Sequence, residues 1–303
     1  MSENRKSIID LQGISKTFGA NEALQNISYS VEEGTVFALL GENGAGKTTT
    51  IRILLGLEQP DSGKVEVLGM DPKKEDLKIR KKVGYVPELP ALYEWMSVEE
   101  IGRFAAVFYP DGYWPEYCRL IESFSLPMKT KIRALSKGMK GEVSLSLALA
   151  SDPPLLILDE PTSGLDAMIR RRFLESMVDR AAMGKTVFLS SHQIVEVERV
   201  ADIIAIMKKS RILLVEPLDQ LKATSRIYTI TFDGDPGSFS APEPVFEKIV
   251  EQRTEGREVQ IFGRDPVSNA ADLLRNIQGA VHVDEKIPTL EEIFMGYMRS
   301  EEP

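Results

Sequence analysis

The chain has 303 residues, 43% of them from the hydrophobic set and 27% charged, with a formal net charge of −9. That length holds one or two domains with a sizeable buried core. The acidic balance disfavours a general nucleic-acid binder, which needs basic surface for phosphates, so no nucleic-acid partner is expected.

Cys118 is the single cysteine. It excludes an intramolecular disulfide and a Cys-based metal site, and predicts a reduced, intracellular compartment. The opening MSENRKSIIDLQG lacks the apolar core of a signal peptide. No stretch approaches the ~18 apolar residues of a spanning helix. The best candidate, 143–158, is cut by Ser144, Ser146, Ser151, Asp152 and two prolines. A soluble protein is expected, held at any membrane by something else.

In chain order, 8–14 and 23–31 read as strands, and the apolar run VFALL at 36–40 as a third. Helical spacing of Ile51, Leu54 and Leu55 predicts a helix over 48–57. Short strands follow at 65–68 and 83–86. Ser97 with Glu100 makes a capping box, and Pro115 can open a second helix. Residues of about 97–150 therefore read as a helical insert. It carries Tyr109, Tyr113, Trp114 and Tyr117 in a short span, which offers either a docking groove or packing inside the insert.

Strands return with LLILD at 155–159, TVFLSS at 186–191, IIAIM at 203–207 and RILLV at 211–215, with a helix over 170–182. Strands alternating with helices imply a largely parallel α/β core. Composition shifts near Thr224. Beyond it, IYTITF and EVQIF read as strands and 268–277 and 289–298 as helices. The expected organisation is a domain over 1–225 and a small α+β extension over 226–303.

Gly41-Glu42-Asn43-Gly44-Ala45-Gly46-Lys47-Thr48 fits the phosphate-loop pattern G-x-x-x-x-G-K-[ST]. Glycines let the backbone approach phosphate oxygens closely. The N–H groups cradle the anion, and the helix start adds partial positive charge. Lys47 would reach the β and γ phosphates, and the Thr48 hydroxyl would bind Mg²⁺. In LLILDE, Asp159 ends a buried strand, where ligands bind in open α/β sheets. A carboxylate there can hold Mg²⁺, and Glu160 could polarise the attacking water.

Three further pieces narrow the family. Leu135-Ser136-Lys137-Gly138-Met139 resembles the LSGGQ signature of ATP-binding cassette proteins, Ser163-Gly164-Leu165-Asp166 resembles their D-loop, and His192 after TVFLSS resembles their switch histidine. The order matches from about 8 to 221. The resemblance implies a P-loop cassette fold: a RecA-like core, an antiparallel β subdomain and a helical subdomain, followed by the extension. It implies two nucleotide-binding domains paired head to tail, as a homodimer or paralogous heterodimer. ATP and Mg²⁺ would lie between the phosphate loop of one copy, through Thr49, and Leu135, Ser136 and Gly138 of the other, near Asp166. Phe18 matches the aromatic that stacks on adenine, and His192 would sense the γ-phosphate.

Departures from the family pattern are Lys137 and Met139 in the signature and Glu88, in VGYVPE, at the position usually held by Gln. Glu88 still offers oxygen to Mg²⁺, and its charge near phosphate would alter nucleotide binding. LSKGM, VPE and the closing PTLEEIF resemble the ATPase subunits of bacterial exporters with separate membrane permease subunits. GYVPE and FYPD resemble most the group that includes the Ytr-type ATPases of Gram-positive bacteria. The expected function is ATP-driven export through those permeases, from the cytoplasmic face of the membrane. A soluble cassette ATPase acting on DNA or ribosomes is the alternative. A GTP switch or small-molecule kinase is disfavoured, because the chain has no N-K-x-D motif.

Overall fold

The computed structural model describes residues 6–163, 165–237, 239–242 and 245–300. Gly164 of the D-loop stretch lies outside them. The chain divides into two compact units, Met1–Val215 and Glu216–Pro303, so the second begins ahead of the expected boundary between 225 and 226.

The first unit runs β1 (Ser7–Phe18), β2 (Asn21–Glu32), β3 (Val36–Gly41), α1 (Lys47–Leu54), β4 (Ser62–Val67), α2 (Pro72–Lys82), β5 (Val83–Val86), α3 (Val98–Ala106), α4 (Tyr113–Ser123), α5 (Lys137–Leu149), β6 (Leu155–Asp159), α6 (Ala167–Ala182), β7 (Thr186–Ser191), α7 (Ile194–Val197), β8 (Ile203–Lys208) and β9 (Arg211–Pro217). Its main sheet has the order β5-β6-β7-β3-β8-β9. The first five strands pair in parallel. Every residue of β3, β6 and β7 is buried, as in a sheet covered on both faces. Lys209 and Ser210 both have positive φ, and this two-residue turn closes β8 and β9 into a hairpin.

The strand register sets the site. Leu40 pairs with Ser191, and Asp159 with Ser190. The segments after β3, β6 and β7 therefore leave neighbouring strands at one carboxyl edge. A second, antiparallel sheet, β2-β1-β4, shares a core with this one. Tyr29, Phe37 and Phe188 stack across it at 5.2 and 5.5 Å.

The helical insert holds α3, α4 and α5. The predicted Ser97–Glu100 capping box is formed at the start of α3. α4 starts at Tyr113 after Gly112, so Pro115 sits inside its first turn rather than opening it. α2 had no apolar signature because only Pro72 and Ile79 are buried along it.

The second unit contains α8 (Leu218–Thr224), β10 (Ser225–Phe232), β11 (Phe246–Glu255), β12 (Glu258–Pro266), α9 (Ala270–Arg275), β13 (Ala280–Lys286) and α10 (Leu290–Arg299). Its sheet, β11-β12-β10-β13, is antiparallel. The edge strands β11 and β13 expose most of their residues, and so carried no apolar alternation to predict them from.

Candidate functional site

Between β3 and α1 the chain makes the phosphate loop. Gly44 and Gly46 both have positive φ, and Gly46 begins α1 with no side-chain cap. The first N–H groups of the helix are thus left open for an anion. A side chain at Gly46 would also strike the carbonyl of Ala23, since an added Cβ would lie 2.5 Å from it. Lys47 folds back over the loop, and its Nζ donates to the Gly41 carbonyl at 2.7 Å and to that of Glu42 at 3.3 Å.

The acidic pair enters from β6. Lys47 Nζ stands 3.0 Å from Glu160 Oε1, and both side chains are buried. The contact is Coulombic, because its angle leaves Oε1 without a hydrogen bond. Glu160 has a φ of 48°, a left-handed backbone that is costly for a non-glycine residue. Its N–H donates to Ser190 O and Oγ, which hold the turn. The His192 N–H donates to Glu160 Oε2 at 3.1 Å, and the ring Nδ1 lies 2.7 Å from the same oxygen. Ser190 Oγ donates to Asp159 Oδ1 at 2.6 Å. The hydroxyl of Tyr85 in β5 is pushed up to about 12, by burial first and by the negative charge of Asp159 second.

A cavity of about 410 Å³ opens over the loop. It is lined by Glu42, Asn43, Gly44, Gly46, Lys47, Thr48 and Thr49, together with Phe18, Asn21, Ala23, Glu88 and Glu160. The fold thus brings Phe18, the loop, Glu88 and Glu160 together. Ala45 is buried just beneath. Lys16 Nζ lies 5.0 Å above the Phe18 ring. A larger cavity, about 610 Å³, lies between α4 and α6, but it contains no residue of either phosphate-site motif.

Among the described residues, 135–138, Asp159, Asp166 and His192 do not line the phosphate cavity. Asp159 and His192 reach it only through Ser190 and Glu160. Ser136 caps α5, its Oγ accepting from Met139 N at 3.2 Å, and it is exposed. Leu135 is buried. An added Cβ on Gly138 would lie 2.3 Å from Ile169 Cδ1, so this glycine permits close packing on α6. Asp166 caps α6, accepting from Met168 N and Ile169 N. Sequence reasoning missed Asn21, Ala23 and Ser190. Ser190 is found only through its parallel pairing with Asp159.

The aromatic residues of the insert sort differently from the docking alternative. Tyr113 and Tyr117 are buried and donate to the carbonyls of Leu147 and Val98. Tyr109 stacks on Tyr113 at 4.6 Å, and Arg103 covers Trp114 at 4.3 Å. This span packs within the insert. Exposed aromatics at and just before the insert include Trp95, Tyr93, Phe104 and Phe108, whose rings follow one another in that order at 6.0, 5.6 and 5.4 Å.

Comparison with known proteins agrees with this geometry. The family described as ABC transporter matches residues 24–163. A family described as AAA domain, putative AbiEii toxin, Type IV TA system, matches 129–198. The chain is 32% identical over 229 residues to the ABC transporter ATP-binding protein YtrB of Bacillus subtilis (strain 168), covering 75% of this chain and 78% of that one. It is 32% identical over 300 residues to the Nod factor export ATP-binding protein I of Rhizobium sp. (strain N33), covering 96% of each. A solved ATP-binding subunit of an ABC transporter matches with a TM-score of 0.67 and 32% identity, covering 72% of this chain and 92% of that one. A phosphate loop, an acidic strand end and a serine-capped signature helix on one α/β core, with relatives of this similarity, place the chain in the ATP-binding cassette family as the ATP-binding, ATP-hydrolysing subunit of an ABC transporter.

Proposed function

We propose that this subunit drives export through separate transmembrane permease subunits, working as one half of a cassette pair at the cytoplasmic face of the membrane. The observation that carries the reading is the single cavity where Lys47, the uncapped start of α1, Phe18, Glu88 and Glu160 face one another. In this reading Phe18 offers its open face to adenine. Lys47 and the loop N–H groups neutralise the phosphates. Glu160 takes the proton of the attacking water, and His192 holds its carboxylate and registers loss of the γ-phosphate.

Thr48, Asp159 and Glu88 supply a hydroxyl and two carboxylates, hard oxygen donors that suit Mg²⁺. Among the described residues no three His, Cys, Asp or Glu side chains cluster closely enough to hold a metal unaided. That fits an ion which takes its other ligands from phosphate and water. When bound, Mg²⁺ supplies charge neutralisation along the triphosphate.

Ser136, Gly138 and Asp166 lie apart from the cavity in the same chain, with capped helix starts exposed beside them. A second cassette bringing its own Leu135–Gly138 stretch and Asp166 to the phosphates completes the site. A second copy brings a second Glu160 and two hydrolysing sites, whereas a paralogue without that carboxylate leaves one, so homodimer and paralogous heterodimer differ in how many sites hydrolyse.

The Trp95-Tyr93-Phe104-Phe108 surface, with exposed Leu89 a few residues ahead of it and next in sequence to Glu88, suits an apolar helix of a membrane subunit. Among the described residues no helix is long and apolar enough to cross a membrane. The export direction rests on the Nod factor export relative, matched along nearly its whole length. The test is purification from native membranes. The wild-type chain is expected with a polytopic partner, and Trp95→Ser with Phe104→Ser is expected to lose that partner while binding ATP normally. Retained assembly in the double variant would exclude this surface.

A further inference from the structure

The first turns of α6 touch two other segments of the site. The Arg170 guanidinium donates to the Leu165 carbonyl at 2.9 Å, and its Nε lies 2.8 Å from Glu196 Oε1 in a Coulombic pair whose angle makes no hydrogen bond. Glu196 belongs to α7, and its carboxylate is largely buried. With the Gln193 amide turned to satisfy both of its ends, its nitrogen also donates to Glu196, at 3.3 Å to Oε2. α7 begins two residues after His192, whose N–H and ring nitrogen both meet Glu160 Oε2. Polar contacts thus join the loop at Leu165 through Arg170 and Glu196 to Gln193, and Gln193 is the backbone neighbour of His192, which meets Glu160.

We propose that Arg170 is a positioning residue for hydrolysis: it ties the Leu165–Asp166 loop to α7, so that the placement of His192 against Glu160 follows the placement of that loop. The proposal rests on the reading of Glu160 as the base. The residue type matters. A planar guanidinium presents five donors in a fixed fork and can serve a carbonyl and a carboxylate at once, whereas a lysine is a single flexible point charge. The pair is also shielded enough to hold its geometry, unlike the exposed helix pairs at Arg171–Glu175 or Arg103–Glu99. Asp166 caps the same helix, so a displacement of the loop is passed directly to Arg170.

The test uses the full-length chain with Arg170→Lys, Glu196→Gln and the double variant. Measured together are the Kd for a fluorescent ATP analogue, kcat and KM for ATP, and the thermal midpoint. Each single substitution is expected to lower kcat by roughly ten- to a hundredfold through misplacement of the reacting groups. The nucleotide Kd is expected to stay within about twofold of wild type, because phosphate binding does not use this link. The double variant should fall no further than the worse single, since both break one connection. Multiplying losses in the double variant, or an unchanged kcat in either single, would overturn the proposal. So would a loss of kcat that comes with matching losses of nucleotide affinity and thermal midpoint, the mark of a structural staple. Glu160→Gln measured alongside separates the two levels: near-wild-type hydrolysis there defeats the reading of Glu160 itself, whatever Arg170 does.

Discussion

Lys47 Nζ and Glu160 Oε1 lie 3.0 Å apart in a buried pair. The cation proposed to serve phosphates is therefore also the counter-charge of the carboxylate beside it. Lys47→Ala is expected to abolish nucleotide binding and to leave Glu160 without its cation. A flat titration with a fluorescent ATP analogue is the expected outcome. Glu160→Gln keeps the shape of the side chain and removes its basicity. It is expected to bind ATP, to hydrolyse it about 10²- to 10⁴-fold more slowly, and to elute as a nucleotide-stabilised dimer. Wild-type turnover in this variant would remove Glu160 from the base role.

Glu88 lines the same cavity as Glu160, so two carboxylates face the place where phosphates are proposed to bind. Glu88→Gln is expected to tighten metal-free nucleotide binding about two- to fivefold, the scale of one partly solvated charge. It is expected to raise the Mg²⁺ concentration needed for half-maximal hydrolysis. Titrations with and without Mg²⁺ check both effects, and identical curves for variant and wild type would leave the carboxylate without a special role.

Glu100 gives a pH prediction. Its Oε2 accepts from Lys131 Nζ at 2.9 Å and from the Ser97 N–H at 2.6 Å. The Lys131 contact foremost, then the Ser97 N–H, lowers its pKa to about 2. The folded value lies below the unfolded one. The stabilisation is therefore present above the ordinary carboxylate range and is lost as pH falls from there toward about 2. Glu100→Gln is expected to melt below wild type at pH 7, with a smaller gap at pH ~3 that closes only below about 2. Thermal melts at the two pH values measure it, and a gap independent of pH would contradict the linkage.

Tyr29 stacks on Phe37 in the core, and its hydroxyl is buried with no hydrogen-bond partner among the described residues. Burial pushes its ionisation well above the usual tyrosine range. Tyr29→Phe keeps the ring and removes the unsatisfied group, and is expected to stabilise the chain by about 1 kcal/mol. Chemical denaturation reads the change, and a loss of stability would mean that the hydroxyl has a partner in solution.

The sequence by itself determined the parts whose cause is local. The phosphate loop is contiguous, because one tight turn into one helix start makes the anion cradle. The strands VFALL, LLILD and TVFLSS were legible because a sheet covered on both faces needs unbroken apolar runs, and the start of α3 was legible because a capping box spans four residues. Where packing was weak the signal failed: α2 buries two residues, and β11 and β13 are exposed edges. Only the tertiary structure decided that Lys47 meets Glu160, that Ser190 holds Asp159, and that Tyr113 and Tyr117 turn inward while Trp95 and Phe104 stay exposed. Those contacts follow from the order of strands in a parallel sheet and from which helix face finds a partner. Both are set by distant residues, and no spacing within a short stretch encodes them.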